Sequence, residues 1–332
     1  MKHRIAFAGF RHPHIFALLE AVQGRDDCEI VAACEEDSSA RQALEKEGEV
    51  ELTHDSFAQM ISSCSPGIVA IGDYYSIRGS LLKSALQAGC HVISDKPICT
   101  TMRELDSIEA ELKSRSLCLG CQLDLRNSGA ILRLREIVLS GEIGEVCTVT
   151  IMGQHPLRMG VRPSWYFEPG CHGGTINDIG IHAFDVVPWM TGQPWENLLS
   201  ARQWNRKAKR VPHFKDCAQF HGLLADGASV FVDVSYLAPD NAGFGMPQYW
   251  RILVHGTVGM AETNHAASGV ILATDSDAAP RLVPSLPPER DRYLNDFLDE
   301  IAGRPSTDGL TTKGILSAAR FALQAQELSA RS

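Results

Sequence analysis

Short apolar runs alternate with helix-period segments through roughly the first 120 residues, and this limits the fold more than any other feature of the chain. Ile5–Gly9, Glu29–Cys34, Gly67–Gly72, His91–Ser94 and Leu117–Gly120 read as strands. His14–Val22, Ser39–Lys46 and Ile77–Ala88 read as helices between them. Strands alternating with helices predict an α/β fold with a parallel, doubly wound sheet. A helix near Ala130–Leu139 and a strand at Val146–Met152 follow. Strand patterns then recur near Asn197–Gln203, Ala218–Leu223, Ser229–Leu237, Trp250–Gly256 and Met260–Glu262 with no helices between them. That spacing predicts an open, mostly antiparallel sheet with its own helices. Asp291–Ala302 and Thr311–Leu328 read as the last helices, and 276–290 as a loop. The expected organisation is a first domain over residues 1–122, a second over 123–302, and a C-terminal helix in 303–332 packing back on the first.

Charge excludes some function classes. The net charge of −9 makes the chain a poor electrostatic match for nucleic acid or an anionic membrane. No apolar stretch approaches the ~20 residues that span a bilayer, and the start does not read as a signal peptide, so a cytoplasmic location is expected. The ten cysteines are scattered, mostly in strand-like contexts, and are expected to be reduced thiols. Cys118 and Cys121 have Cys-x-x-Cys spacing, but no second pair completes a zinc site, and no metal is expected.

The first strand ends at Gly9 and opens a helix, the place where dinucleotide pyrophosphates dock. The loop reads Gly9-Phe10-Arg11-His12-Pro13-His14 and keeps only the first glycine of Gly-x-Gly-x-x-Gly. Either Arg11 and His12 contact the pyrophosphate in place of close backbone approach, or the site is altered. Glu35 ends the second strand, where a carboxylate bonds ribose hydroxyls and repels a 2′-phosphate. With Glu36 and Asp37 beside it, NAD is expected over NADP; the alternative is a solvated strand-end glutamate. Lys96, in Asp95-Lys96-Pro97, closes the strand that begins at His91. It is either a group that polarises a substrate oxygen or a surface lysine before a turn.

Asp178 and His182 lie four residues apart after Gly173-Gly174. On a helix that spacing shares one face, so the carboxylate can orient a proton-transferring imidazole. The competing reading is an acidic helix start and a core histidine. The two glycines would let backbone approach a ligand.

Taken in order, these blocks resemble the Gfo/Idh/MocA family of nicotinamide-dependent oxidoreductases. The resemblance includes Gly9, Glu35, Asp95-Lys96-Pro97, Gly141-Glu142-Ile143-Gly144-Glu145-Val146, Trp165, Gly173-Gly174 with Asp178 and His182, and His255-Gly256-Thr257-Val258-Gly259. It implies a Rossmann domain and an α/β domain whose open sheet carries a homodimer or homotetramer contact. It implies NAD as cofactor, bound by Gly9, Phe10, Arg11, His12, Glu35, Gly72, Asp73, Asp95 and Lys96. Lys96, Asp178 and His182 would form the catalytic group, oxidising a secondary alcohol of a sugar, cyclitol or related polyol. Arg126, Trp165 and His172 are candidate substrate contacts. The chain departs from the family pattern at Arg11, His14, Asp95, Thr175 and Arg78, the last standing where histidine is common. A dinucleotide-binding regulator without turnover, an NAD-assisted sugar hydrolase or lyase, and a metal hydrolase on His172, Asp178 and His182 are the alternatives.

Overall fold

The computed structural model describes residues 2–331 as two compact units. The first unit holds the chain up to Gln122, with Gly170–Gly173 and Tyr293–Leu316. Its strands are β1 (His3–Ala8), β2 (Cys28–Cys34), β3 (Ile68–Ile71), β4 (His91–Asp95) and β5 (Leu119–Gln122). All pair in parallel in the order β2-β1-β3-β4-β5. β3 is buried along its whole length, as expected of a parallel strand covered on both faces. The helices are α1 (His14–Gln23), α2 (Ser38–Glu47), α3 (Phe57–Cys64), α4 (Tyr75–Gln87) and α5 (Met102–Arg115). Local chemistry fixes their starts: Asp37 caps α2 through the Ala40 N–H at 2.8 Å, and Thr101 with Glu104 forms a capping box on α5.

The second unit holds Leu123–Pro169, Gly174–Arg292 and the chain from Ser317 on. Its helices α6 (Gly129–Leu139) and α7 (Ile181–Thr191) pack together against one sheet face. The strands are β6 (Val146–Pro156), β7 (Trp195–Trp204), β8 (Cys217–Leu224), β9 (Ser229–Ala238), β10 (Arg251–Gly256), β11 (Gly259–Thr263), β12 (Gly269–Thr274) and β13 (Arg281–Pro284). They form one sheet in the order β13-β12-β11-β10-β6-β9-β8-β7, antiparallel except for β6 beside β9. The sheet has one buried and one open face, the alternation typical of antiparallel sheets. A single cross-strand row on the open face runs Leu282, Ile271, Glu262, Leu253, Thr150, Phe231, His221, Ser200. Leu282, Ile271 and Phe231 are exposed there.

Besides α3 and α5, which the sequence reading does not place, three features differ from the sequence expectation. First, 276–290 is not all loop, because β13 extends the sheet. Second, α8 (Arg292–Ile301) belongs to the first unit from Tyr293 on, although sequence order placed it in the second domain. Gly120 makes room for Phe297: a Cβ there would lie 2.8 Å from the ring. The Gln122 amide also reaches the Tyr293 hydroxyl at 3.4 Å. Third, α9 (Thr312–Ser329) is shared between units rather than packing on the first alone. Thr312 Oγ1 accepts the Leu119 N–H in the first unit. Further along, Phe321 stacks on Phe184 and Gln203 donates to Ser329 in the second.

Candidate functional site

Strand connections in the first unit diverge between β1 and β3, the point where open α/β sheets bind ligands beyond their strand ends. Gly9 leaves β1 there with φ +74°, and a Cβ on it would lie 2.5 Å from the Asp73 Cβ. A Cβ on Gly72 would lie 2.3 Å from that of Ile15. Both positions therefore require glycine, because the Asp73 and Ile15 side chains fill the space of a Cβ. The next residue, Phe10, donates its N–H to Glu35 Oε2 at 2.7 Å, and Asp37 donates to Oε1 at 2.9 Å. Glu35 is fully buried, so desolvation pushes its carboxyl up while the two N–H bonds pull it back. Glu35 thus braces the β1 turn from within. Arg11 lies against Asp73, with Nε at 2.6 Å and Nη2 at 2.8 Å, and covers the Tyr74 ring at 4.4 Å. This turn, its glycines and the uncapped start of α1 suit a dinucleotide, with Arg11 in place of the second glycine.

Asp95, at the end of β4, is the hub of a buried network. His12 Nδ1 lies 2.5 Å from Oδ2 and His14 Nδ1 lies 3.0 Å from Oδ1. Arg78 Nη2 donates to Oδ2 at 2.8 Å. Burial alone would raise the Asp95 carboxyl, but Arg78, His14 and His12 overcome it and hold it well below the ordinary range. Burial also pushes the His12 imidazole down to about 3, against the pull of Asp95. His12 is therefore neutral at neutral pH and acts on Asp95 as a hydrogen-bond donor rather than as a charge. We assign its proton to Nδ1, which leaves Nε2 to accept from the Tyr75 hydroxyl at 3.1 Å. Among the described residues, His12, His14 and Asp95 are the one group with metal-ligand spacing, but Arg78 already occupies the shared carboxylate.

Arg78 was noticed in the sequence only as a departure from a pattern. It is fully buried and donates to the carbonyls of Asp73 (2.6 Å), Asp95 (3.1 Å), Lys96 (2.6 Å) and Pro97 (3.1 Å). It thereby ties the end of β4 to the residue after Gly72. Lys96 is buried in this turn, before a cis peptide bond to Pro97. His172 packs its ring on Tyr75 at 5.4 Å, within the first unit.

In the second unit the expected continuous helix through Asp178 and His182 is a π-helical turn, Ile176–Gly180, running into α7. Such turns concentrate at functional sites. Both side chains are buried. Asp178 Oδ2 accepts from the hydroxyls of Tyr166, at 2.7 Å, and Tyr236. Burial and the Asp178 carboxylate push the Tyr166 hydroxyl far up, so it remains a donor. His182 meets the Trp250 ring edge-on at 5.0 Å. No sequence signal marked either tyrosine as a partner of Asp178, because both pairings are long-range.

Other expected residues have structural partners. Arg126 binds Asp185 with both arms, at 3.1 and 2.7 Å, and both side chains are buried. Burial raises the Asp185 carboxyl, and Arg126 counters it. Trp165 is buried against Tyr166 at 5.2 Å rather than presented on a loop. Gly174 does not offer bare backbone to a ligand: a Cβ there would lie 2.1 Å from the Gln326 amide nitrogen.

Comparison with known proteins adds to this geometry. Residues 4–123 match the model of the oxidoreductase family NAD-binding Rossmann fold, and residues 131–262 match the GFO/IDH/MocA C-terminal domain. The D-glucoside 3-dehydrogenase of Escherichia coli K12 is 30% identical over 210 residues, 59% of this chain and 55% of that protein. The chain thus aligns with about half the length of the curated relatives it matches. A solved structure from Thermotoga maritima superposes with a TM-score of 0.84 at 25% identity, covering 99% of this chain and 98% of that one. An Agrobacterium radiobacter oxidoreductase solved with NAD+, L-tartaric acid and magnesium has the same fold, with a TM-score of 0.78 at 18% identity over 99% of this chain and 97% of that one. Among the described residues, no helix is long and apolar enough to cross a membrane. Both halves of the chain therefore place it in the Gfo/Idh/MocA family of oxidoreductases, with a Rossmann domain of the NAD-binding kind at its front.

Proposed function

We propose that the chain oxidises a secondary alcohol of a sugar, cyclitol or related polyol with NAD. One observation carries this reading: a buried carboxylate, Asp178, is clamped by two buried hydroxyls and stands four residues before a buried imidazole, His182. Neutral His182 takes the hydroxyl proton of the substrate. Asp178, held as an acceptor by Tyr166 and Tyr236, offsets the charge that develops on the ring. Lys96, in the turn fixed by Arg78, stabilises the oxygen as it becomes alkoxide-like. NAD, when bound, would supply the hydride acceptor for the carbinol carbon. Gly9, Phe10, Arg11, His12, Gly72 and Asp73 would hold it, with buried Glu35 and Asp95 fixing the turns behind them, and the carboxylates of Glu36 and Asp37 favour NAD over NADP. The glucoside dehydrogenase relative and the NAD+-bound neighbour agree with this assignment. We assign the open sheet row around Phe231 to contact with a second copy of the chain, and the location to the cytoplasm.

A sensor without turnover is the second reading. It is favoured by Arg11 and His12 engaging Asp73 and Asp95 in the turn that would meet the cofactor. Fluorescence titration with NADH and NADPH, followed by incubation with NAD and a panel of sugars, glycosides and cyclitols, separates the two. Tighter NADH binding with NADH formation on the panel is expected. Binding without turnover on any panel member would favour the sensor, and no binding of either nucleotide would overturn both.

A further inference from the structure

Trp250, the residue before β10, has a backbone its side chain does not favour. Its φ is +52°, in the left-handed region, where a bulky side chain is a rare outlier. Ser65 and Ser116 share that region, but they close α3 and α5, where left-handed residues are ordinary. Trp250 closes no helix, and it is buried. A strained residue persists only where its surroundings over-determine it, and such residues cluster at functional sites.

The register around it shows where the strain comes from. Arg251 pairs with Met152 of β6, whereas the Gln154 N–H donates to the Gln248 carbonyl at 3.4 Å. Tyr249 and Trp250 therefore stand together opposite Gly153, and the extra residue makes a β-bulge. Bulges re-aim side chains and are frequent beside active sites; where one needs a left-handed residue, glycine usually supplies it. This chain places tryptophan there and puts the glycine across from it. A Cβ on Gly153 would lie 2.6 Å from the indole Cζ3, so the ring lies over bare backbone. Three rings pack on the indole within the second unit: His155 at 5.5 Å, Tyr249 at 6.1 Å, and His182 at 5.0 Å with the planes at 64°.

An imidazole turns about a terminal torsion that is broad and two-fold, so its own rotamer does not decide which nitrogen faces a substrate. We infer that Trp250 is a positioning residue for His182: the bulge and Gly153 hold the indole against the imidazole, which fixes the plane of that ring and the nitrogen that receives the proton. The inference rests on the reading of His182 as the base and deepens it. Trp250 itself exchanges no proton. The two orientations of the imidazole offer different nitrogens to the same partners, and those partners set which nitrogen is protonated. A ring released from the indole therefore becomes a mixture of tautomers.

The test uses the full chain and three variants. Trp250→Leu removes the ring, Trp250→Phe keeps one, and Gly153→Ala keeps the indole but drives it from its place. Nitrogen NMR of the neutral His182 imidazole, assigned against His182→Ala, reads the tautomer without substrate. One tautomer is expected in the native protein and in Trp250→Phe, and a mixture in Trp250→Leu and Gly153→Ala. With NAD saturating, kcat on whichever sugar, glycoside or cyclitol yields NADH should fall about 10- to 100-fold in those two variants, the effect of a displaced catalytic group, and much less in Trp250→Phe. NADH affinity should stay native in all three. A mixture already in the native protein, a single tautomer retained in Trp250→Leu and Gly153→Ala, or a native kcat in both overturns the inference. Partial unfolding lowers kcat but leaves the tautomer of the folded molecules unchanged, so it does not imitate the expected result. If the native protein forms NADH from no panel member, the dehydrogenase reading fails, and the tautomer alone decides whether Trp250 fixes the ring.

Discussion

The buried His12–Asp95 pair makes acid sensitivity of the first unit calculable. His12 has a folded pKa of about 3 against an ordinary 6.5, because burial outweighs the attraction of Asp95. Between those values the unfolded chain binds a proton that the folded chain refuses. Stability therefore rises with pH across this window: it is fully present above 6.5 and is lost as pH falls toward 3. At about pH 5 the single-site loss is about 2 kcal/mol. Asp95 adds almost no slope between about pH 7.5 and 5, where it is ionised in both states; below that, its lowered carboxyl steepens the loss in the same direction. Replacing His12 by asparagine keeps an N–H donor for Asp95 and removes the titrating group. Amide hydrogen exchange in β1 and β4 reads this unit directly. Between about pH 7.5 and 5 the native protein should lose about 2 kcal/mol more protection than His12→Asn. His91 and His265, whose imidazoles burial also pushes down, are common to both proteins and cancel. Equal losses in the two proteins would show that His12 is not held neutral by burial.

Three further outcomes follow from particular contacts. Arg126→Ala should lower stability to urea by about 3–5 kcal/mol, because it strands the buried Asp185 carboxylate, whereas Arg126→Met with Asp185→Leu should recover most of that loss. Phe231→Asp, placed in the middle of the exposed sheet row, should reduce the mass seen by light scattering to that of a single chain; an unchanged mass would mean that the row is no interface. Burial pushes the Cys34 and Cys217 thiols up to about 12, so a disulfide reagent at about pH 8 should modify exposed Cys147 promptly and spare those two.

The parallel sheet was readable because each buried strand is a short apolar run closed by glycine or a polar residue, as at Ala8-Gly9 and Ile71-Gly72. β13 was not, since Arg281–Pro284 is an edge strand with little buried surface and two prolines just before and within it. α5 was missed although Thr101 and Glu104 form a capping box, a signal present in the sequence. At the site, local motifs such as Gly9, Lys96 and the Asp178–His182 spacing were legible. Partners that arrive from distant segments were not: Arg78 on the Lys96 turn, Tyr236 on Asp178, and Asp185 on Arg126 are set by packing. Sequence shows where Arg126 and Trp165 stand but not that both side chains are buried.

The proton acceptor is the centre of this account, and turnover of His182→Ala on an accepted polyol tests it most directly. With NAD saturating and folding confirmed, kcat should drop by about 100- to 10,000-fold while NADH still binds as it does to the native protein. A variant that turns over at the native rate would contradict the assignment of His182 as the base.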